Sequence, residues 1–152
     1  MLVKKHLATV LAATVLAGGF VGLSAGAAHA YPRVDKCGSA YDFKQSWDIT
    51  DNARTSVVVG FIDIYYNSGN GINCAIARGK DGAVTGHHDI RVAIRRSGTS
   101  DWIQDGAGSN YSSYAGPVYT YAKGACIDFV GGLMYNEFAG QGASGYSSKH
   151  CG

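Results

Sequence analysis

Four cysteines, spread along the chain behind an apolar N-terminal segment, constrain this sequence more than any other feature. They are Cys37, Cys74, Cys126 and Cys151. An even number of cysteines in an exported chain predicts disulfides, because these bonds persist mainly in oxidising compartments. The sequence contains no CxxC motif, so neither a zinc ribbon nor a thioredoxin-like redox site is predicted.

Four cysteines can pair in three ways, and the sequence alone leaves all three open. We favour the sequential pairing, Cys37 with Cys74 and Cys126 with Cys151, because it ties each end of the chain to its nearest interior strand. The chain-entropy treatment gives about 3.5–4 kcal/mol of stabilisation for each such bond. A structural role is therefore expected for both disulfides.

The beginning of the chain has the three parts of a secretory signal peptide. A basic start and an apolar run over residues 7–21 precede a small-residue cleavage sequence that ends at Ala30. We therefore predict a signal peptide over residues 1–30 and a single secreted β domain over residues 31–152. No later apolar run reaches the roughly 18 residues that a membrane span needs, so the mature chain is expected to lack one.

The charge of the chain argues against nucleic acids and membrane surfaces as partners. The formal net charge is +2 and falls to zero when the signal-peptide residues Lys4 and Lys5 are removed. The remaining basic residues are scattered along the sequence. Because non-specific binding to nucleic acid or to anionic membranes needs a concentrated basic patch, neither partner is expected.

Segments rich in β-branched and aromatic residues, bounded by turn residues, predict an all-β fold. Strands are expected at about residues 56–66, 72–77, 84–96, 102–104, 118–122 and 125–130. Residues 67–71 predict a hairpin loop because they tolerate positive φ, and Lys123-Gly124 predicts a tight turn between the last two strands. Both faces of the 56–66 segment are largely apolar, so this strand should be central. The pattern is typical of a small antiparallel β-sandwich or barrel.

His87-His88-Asp89 is the densest cluster of residue types used in catalysis. Neighbouring residues on a strand point to opposite faces, so His87 and His88 cannot face one metal without a bulge. A metal site needs three or four ligands, and no companion motif accompanies the cluster. We expect a solvated strand or turn here, with no metal and no cofactor.

Other catalytic arrangements have little support in the sequence. No GxSxG motif is present, although a Ser-His-Asp triad can be assembled from distant segments. A glycosidase-like pair of carboxylates would need two acids facing a cleft, whereas Glu137 is the sole Glu and the Asp residues mostly fall in turns. We predict that the chain is not an enzyme and keep a small secreted hydrolase as a minor alternative.

The most concentrated chemical feature is a set of aromatic residues between positions 102 and 121. Tyr119 and Tyr121 share one strand face, Tyr111 and Tyr114 lie just before them, and Trp102 is in the preceding segment. Tyrosine combines apolar area with a hydrogen-bonding hydroxyl, which suits contacts with sugars and proteins. We predict a binding surface made by these five side chains. The alternative is that they form cross-strand pairs that stabilise a small sheet.

Several segments around the cysteines resemble a known family. They are YAGPVY at residues 114–119, GACIDFVGG at 124–132, NGINC at 70–74 and HCG at 150–152. These segments are similar to the spore-associated protein A family, small secreted proteins of sporulating actinomycetes. The chain departs from the expected family pattern at Phe129, where the family would have Trp.

The resemblance implies secretion and association with a spore or cell surface, and it carries no catalytic residue or mechanism. We therefore expect a secreted, non-enzymatic protein whose partners are components of the spore or cell-wall surface. The alternative is a secreted binding module, or an inhibitor of an extracellular hydrolase, with a polysaccharide or a protein as its target.

The predicted signal peptide leads to a direct test. N-terminal sequencing of the extracellular protein should begin at Tyr31, because signal peptidase cuts after small residues such as Ala30. Recovery of the full chain in the membrane fraction would contradict both the compartment and the reason for expecting disulfides.

Overall fold

The computed structural model describes residues 33–81, 86–136 and 140–151, so the predicted signal peptide lies outside the described residues. Within these ranges the chain forms strands and no helix. The strands are β1 (Asp42–Thr50), β2 (Val58–Asn67), β3 (Ile72–Gly79), β4 (His88–Arg96), β5 (Ile103–Asp105), β6 (Tyr114–Tyr121), β7 (Ile127–Tyr135) and β8 (Gly140–Lys149). In this described part, no helix has the length and apolarity that crossing a membrane requires.

The strands form two four-stranded antiparallel sheets. Sheet A has the order β1-β2-β3-β6, and sheet B has the order β5-β4-β7-β8. The apolar core lies between them and includes Ile62 and Ile64 from sheet A with Ile94 and Phe129 from sheet B, all fully buried. The predicted all-β sandwich is confirmed, and β2 is an interior strand as its two apolar faces indicated.

A second, smaller cluster covers the outer face of sheet A. Residues 33–41 lie over this face, where Cys37, Tyr65, Cys74 and Ile76 are buried together. The Tyr65 hydroxyl donates a hydrogen bond to the Val34 carbonyl at 3.3 Å. The N-terminal segment therefore acts as a cover that gives sheet A a second buried face.

Both predicted disulfides are present with the sequential pairing. Cys37 bonds to Cys74 in the centre of sheet A, and Cys126 bonds to Cys151. The C-terminal segment is also held by its side chains, since Trp47 Nε1 donates to His150 Nε2 at 3.2 Å. The two bonds thus attach the segments that precede β1 and follow β8 to the sandwich.

The structure corrects the predicted pairing of the last two strands. Residues 118–122 and 125–130 were expected to form a hairpin around Lys123-Gly124, but β6 pairs with β3 whereas β7 pairs with β4 and β8. The chain therefore passes from one sheet to the other at this turn. Alternation and turn residues predict a reversal of direction, but they do not determine which sheet receives the next strand.

Two strands, β1 and β8, were not predicted from the sequence. The sequence after Gly131 is rich in Gly and Ser, yet β7 continues to Tyr135 and β8 follows it. Gly142 in β8 lies so close to Val59 and the Thr50 carbonyl that a Cβ atom would clash with them. Small residues are therefore required where β8 meets sheet A. Because these residues are neither β-branched nor aromatic, β8 lacks the composition from which strands are predicted. β1 was also missed, although Phe43, Trp47 and Ile49 alternate with polar residues along it.

A β-bulge changes the faces predicted for β2. Strict alternation along this segment places Val59 on the same face as Phe61 and Asp63, but Val59 is fully buried in the core between the sheets. The pairing of β1 with β2 shifts register between Ile49 and Thr50, opposite this end of β2. Such a bulge interrupts alternation locally, and Val59 consequently turns inward.

The disulfides should contribute a large part of the stability. The sequence separations of 37 and 25 residues correspond to about 3.5–4 kcal/mol each in the chain-entropy treatment. We expect Cys37→Ala plus Cys74→Ala to lower Tm by more than about 10 °C in scanning calorimetry. Peptide mapping under non-reducing conditions should recover a Cys37–Cys74 peptide. A Cys37–Cys151 peptide, or an unchanged Tm, would contradict this assignment.

Candidate functional site

Tyr119 and Tyr121 lie on the outer face of β6, at the edge of sheet A. Tyr121 is 56% exposed and Tyr119 is 36% exposed. The Tyr119 ring packs against Tyr41 with centroids 5.5 Å apart, and its hydroxyl donates to the Cys37 carbonyl at 3.3 Å. Partial burial raises the pKa of Tyr119, so its hydroxyl remains protonated and can donate. Tyr119 thus helps to hold the segment that contains Cys37 and Tyr41, whereas Tyr121 presents its ring to solvent.

Tyr111 and Tyr114 lie beside a polar cavity between β5 and β6. The cavity has a volume of about 420 Å³, and its lining includes Asp105 and the backbone around Gly116. The Asp105 carboxylate accepts a hydrogen bond from the Gly116 amide at 2.8 Å. Tyr114 is half-buried at the start of β6, and Tyr111 is 39% exposed.

Trp102 belongs to a third place, the outer face of sheet B. It lies just before β5, is 38% exposed, and stacks on Arg95 with the guanidinium carbon 4.4 Å from the ring centroid. Arg95 Nε in turn donates to an Asp128 carboxylate oxygen at 2.9 Å. The Trp102 ring is therefore held by Arg95, which is itself fixed by Asp128 on the neighbouring strand.

The five aromatic residues therefore do not form one continuous face. Tyr119 and Tyr121 lie on the outer face of sheet A, where Tyr114 also packs against the cluster around Cys37. Tyr111 lies at the cavity between β5 and β6, and Trp102 lies on sheet B. None of the ring contacts found in the described ranges joins these three places. All but Tyr114 are exposed, and their role in binding remains a prediction.

The His87-His88-Asp89 segment was predicted to be a solvated strand or turn; His88 and Asp89 begin β4, and the segment is more buried than predicted. All three residues are partly buried, and Asp89 has a φ of 49° beside a register shift between β4 and β7. The His87 ring occupies the space next to Gly79, and burial lowers the pKa of His87. Among the described residues, no three His, Cys, Asp or Glu side chains converge to hold a metal ion.

Sequence reasoning missed a buried ion pair on the outer face of sheet A. Arg78 Nε donates to an Asp63 carboxylate oxygen at 2.7 Å, with Asp63 fully buried and Arg78 5% exposed. Ser46 also donates to Asp63, and the Phe61 ring lies 4.6 Å from the guanidinium carbon of Arg78. The sequence does contain a sign of this pair, because the mostly apolar strands β2 and β3 carry one acidic residue, Asp63, and one basic residue, Arg78. Each charge is paired, as burial requires.

The Asp128 carboxylate connects the outer face of sheet B to the C-terminal segment. It accepts hydrogen bonds from Ser97 Oγ at 2.6 Å, Arg95 Nε at 2.9 Å and the Ser148 amide at 3.0 Å. The bond from Ser97 is the largest of the interactions that lower the pKa of Asp128, followed by the Ser148 amide.

The pKa shift of Asp128 predicts a pH-dependent contribution to stability. Because its folded-state pKa lies below the unfolded value of about 3.9, charged Asp128 stabilises the fold above that pH, and the contribution disappears as pH falls through the folded-state pKa. Urea unfolding should therefore show Asp128→Asn less stable than the unsubstituted protein at pH 7, with the difference shrinking below about pH 4.

Asp101→Asn provides a matched control, because Asp101 is exposed and its carboxylate accepts a hydrogen bond from the neighbouring Ser100 hydroxyl at 3.0 Å. This variant should change the free energy of unfolding little at either pH. A destabilisation by Asp128→Asn that is the same at pH 7 and pH 3 would contradict the electrostatic account.

Comparison with known proteins supplies one relationship. The chain is 36% identical over 113 residues to "Spore-associated protein A" of Streptomyces coelicolor, an alignment that covers 74% of this chain and 64% of that protein. The chain thus spans somewhat less than two thirds of the curated relative that it matches. No protein-family model matches the sequence, and no solved structure does. The resemblance predicted from residues 70–74 and 114–132 is confirmed: this chain is a relative of spore-associated protein A.

Proposed function

We propose that this chain is a secreted, non-enzymatic protein retained at the surface of the spore or cell envelope. The observation that carries the proposal is the relationship to a protein named for its association with spores. The two disulfides support an extracellular location, because such bonds are rarely stable in the cytoplasm.

The hydrogen bonding of the acidic residues supports a binding role rather than catalysis. Asp63, Asp128 and Asp51 each form an ion pair with a nearby arginine. Asp51 also accepts hydrogen bonds from the Ala53 and Arg54 amides and from the Tyr135 hydroxyl. These carboxylates are held by the fold, whereas a general acid or base must remain free to exchange a proton with a substrate.

Exposed aromatic rings are the proposed contact with the envelope. Tyr121 presents more than half of its surface to solvent, and Tyr119 beside it is 36% exposed. Aromatic side chains provide large apolar area at little entropic cost, which is why they are frequent in binding sites for sugars and proteins. Contacts of this type persist in high salt, because salt screens charges and does not weaken apolar burial.

Tyr121→Ala tests this contact. The ring is mostly exposed, so the substitution should leave Tm nearly unchanged while weakening retention on purified spores or cell wall severalfold. Retention is measured as the fraction of protein that remains bound after a wash in about 1 M salt, where the Debye length is about 3 Å. Unsubstituted protein should remain bound through this wash.

Two control variants separate aromatic contact from general effects. Ile103→Ala removes a 46% exposed apolar side chain on the other sheet, and His88→Ala removes a member of the histidine cluster. Both should be retained like the unsubstituted protein. Release of the unsubstituted protein by moderate salt, or loss of retention in His88→Ala with an intact fold, would contradict the proposal. A protein that never sediments with envelope would instead support a diffusible inhibitor or binding module.

A further inference from the structure

The outer face of sheet B carries three rows of side chains that run across the strands. One row contains Gln104, Ala93, Val130 and Gly145, which are directly opposite one another in β5, β4, β7 and β8. On one side of this row lies a second row, in which Trp102 stacks on Arg95 and Arg95 pairs with Asp128. On the other side lies a row formed by Arg91, Gly132 and Ala143.

The small residues of these rows leave a trough in the sheet surface. It has a volume of about 380 Å³, and its lining includes Arg91, Ala93, Gln104, Val130, Ala143 and Gly145. Val130 is 40% exposed and forms an apolar floor with Ala93 and Ala143. The outer face of sheet A has no such open surface around Cys74, because residues 33–41 cover it there.

Arg91 is the charged group of the trough. Its side chain lies over Gly132, where an added Cβ atom would be 3.1 Å from Arg91 Nε. The neighbouring Arg95 is neutralised by Asp128, whereas no acidic side chain in the described ranges lies within ion-pair distance of Arg91. Asp105 borders the trough, but its position opposite the buried Val92 turns its carboxylate inward to the Gly116 amide.

We propose that this trough binds a glycan whose sugar rings carry carboxylates. The apolar face of a pyranose ring would lie on Val130 and Ala93, its carboxylate would accept paired hydrogen bonds from Arg91, and a hydroxyl would bond to the Gln104 amide. Planar guanidinium groups match carboxylates in this two-bond geometry. Trp102, held on Arg95, lies beside the trough and offers a further ring for stacking.

The position of the trough favours a glycan over an extended peptide. A peptide that adds to a sheet bonds to the free backbone of an edge strand, but the centre of this trough lies over β4 and β7, whose backbone groups pair with strands on both sides. Only side chains are therefore available to a ligand. Nucleic acid would require a far larger basic surface than Arg91, the basic residue found in the trough among the described residues.

Titration of the purified protein with tetragalacturonate tests the site, with binding followed by calorimetry and by NMR shifts of the Val130 methyl groups. Arg91→Gln should weaken binding at least about tenfold, since hydrogen bonds to a charged group contribute about 1.5–3 kcal/mol. The fully methyl-esterified tetrasaccharide has the same shape but no charge. Its binding to the unsubstituted protein should therefore be as weak as the binding of the acid to Arg91→Gln, or weaker.

Two further variants distinguish the trough from a general charge effect. Arg96→Gln changes the net charge equally at an exposed position on the same strand and should bind like the unsubstituted protein. Ala143→Leu fills the trough without removing a charge and should abolish binding. Equal binding of acid and ester, equal loss in Arg96→Gln, or no millimolar binding would each overturn the proposal. These titrations use no envelope, so their outcome is independent of the retention experiment on Tyr121.

Discussion

The close approach of the two sheets is the constraint on which the rest of the molecule depends. A Cβ atom at Gly60 would lie 2.6 Å from a Leu133 methyl carbon, and one at Gly131 would lie 2.6 Å from Ile62 Cγ1. Glycine at these points lets large side chains from the opposite sheet fill the interior without voids. Because β2 and β7 contribute these glycines at the centre of their sheets, both strands must be buried in the middle of the sandwich, and the remaining strands are placed around them.

This packing leaves two outer faces with different chemistry. On sheet A, the Cys37–Cys74 bond fixes the N-terminal segment over the strands, and the same face carries the buried charges of Asp63 and Arg78. On sheet B, small residues opposite one another leave the surface open and place Arg91, which has no ion-pair partner among the described residues, beside an apolar floor. One disulfide therefore closes one face, and the side chains proposed for binding lie on the edge strand β6 and on the open face.

The sequence predicts the parts of this architecture that depend on local chemistry. The hairpin between β2 and β3 follows from residues 67–71, and the sequential disulfide pairing favoured among the three possible ones is the one observed. Features set by distant partners cannot be predicted in this way. Gly142 of β8 is fixed by its close approach to Val59, and the trough combines side chains from four strands. Four of the five predicted aromatic residues are exposed. They lie in three places because β5 and β6 belong to different sheets, which local alternation does not specify.

The most direct test of the proposed envelope role is the location of the native, untagged protein in its source organism. Cultures are separated into fluid, cells and spores, the solid fractions are washed in high salt, and the protein is quantified with an antibody and located by immunogold microscopy. The proposal predicts that most of the protein remains on the outer surface of the cell or spore after the wash. Protein found almost entirely in the culture fluid, or inside the cytoplasm with reduced cysteines, would contradict it.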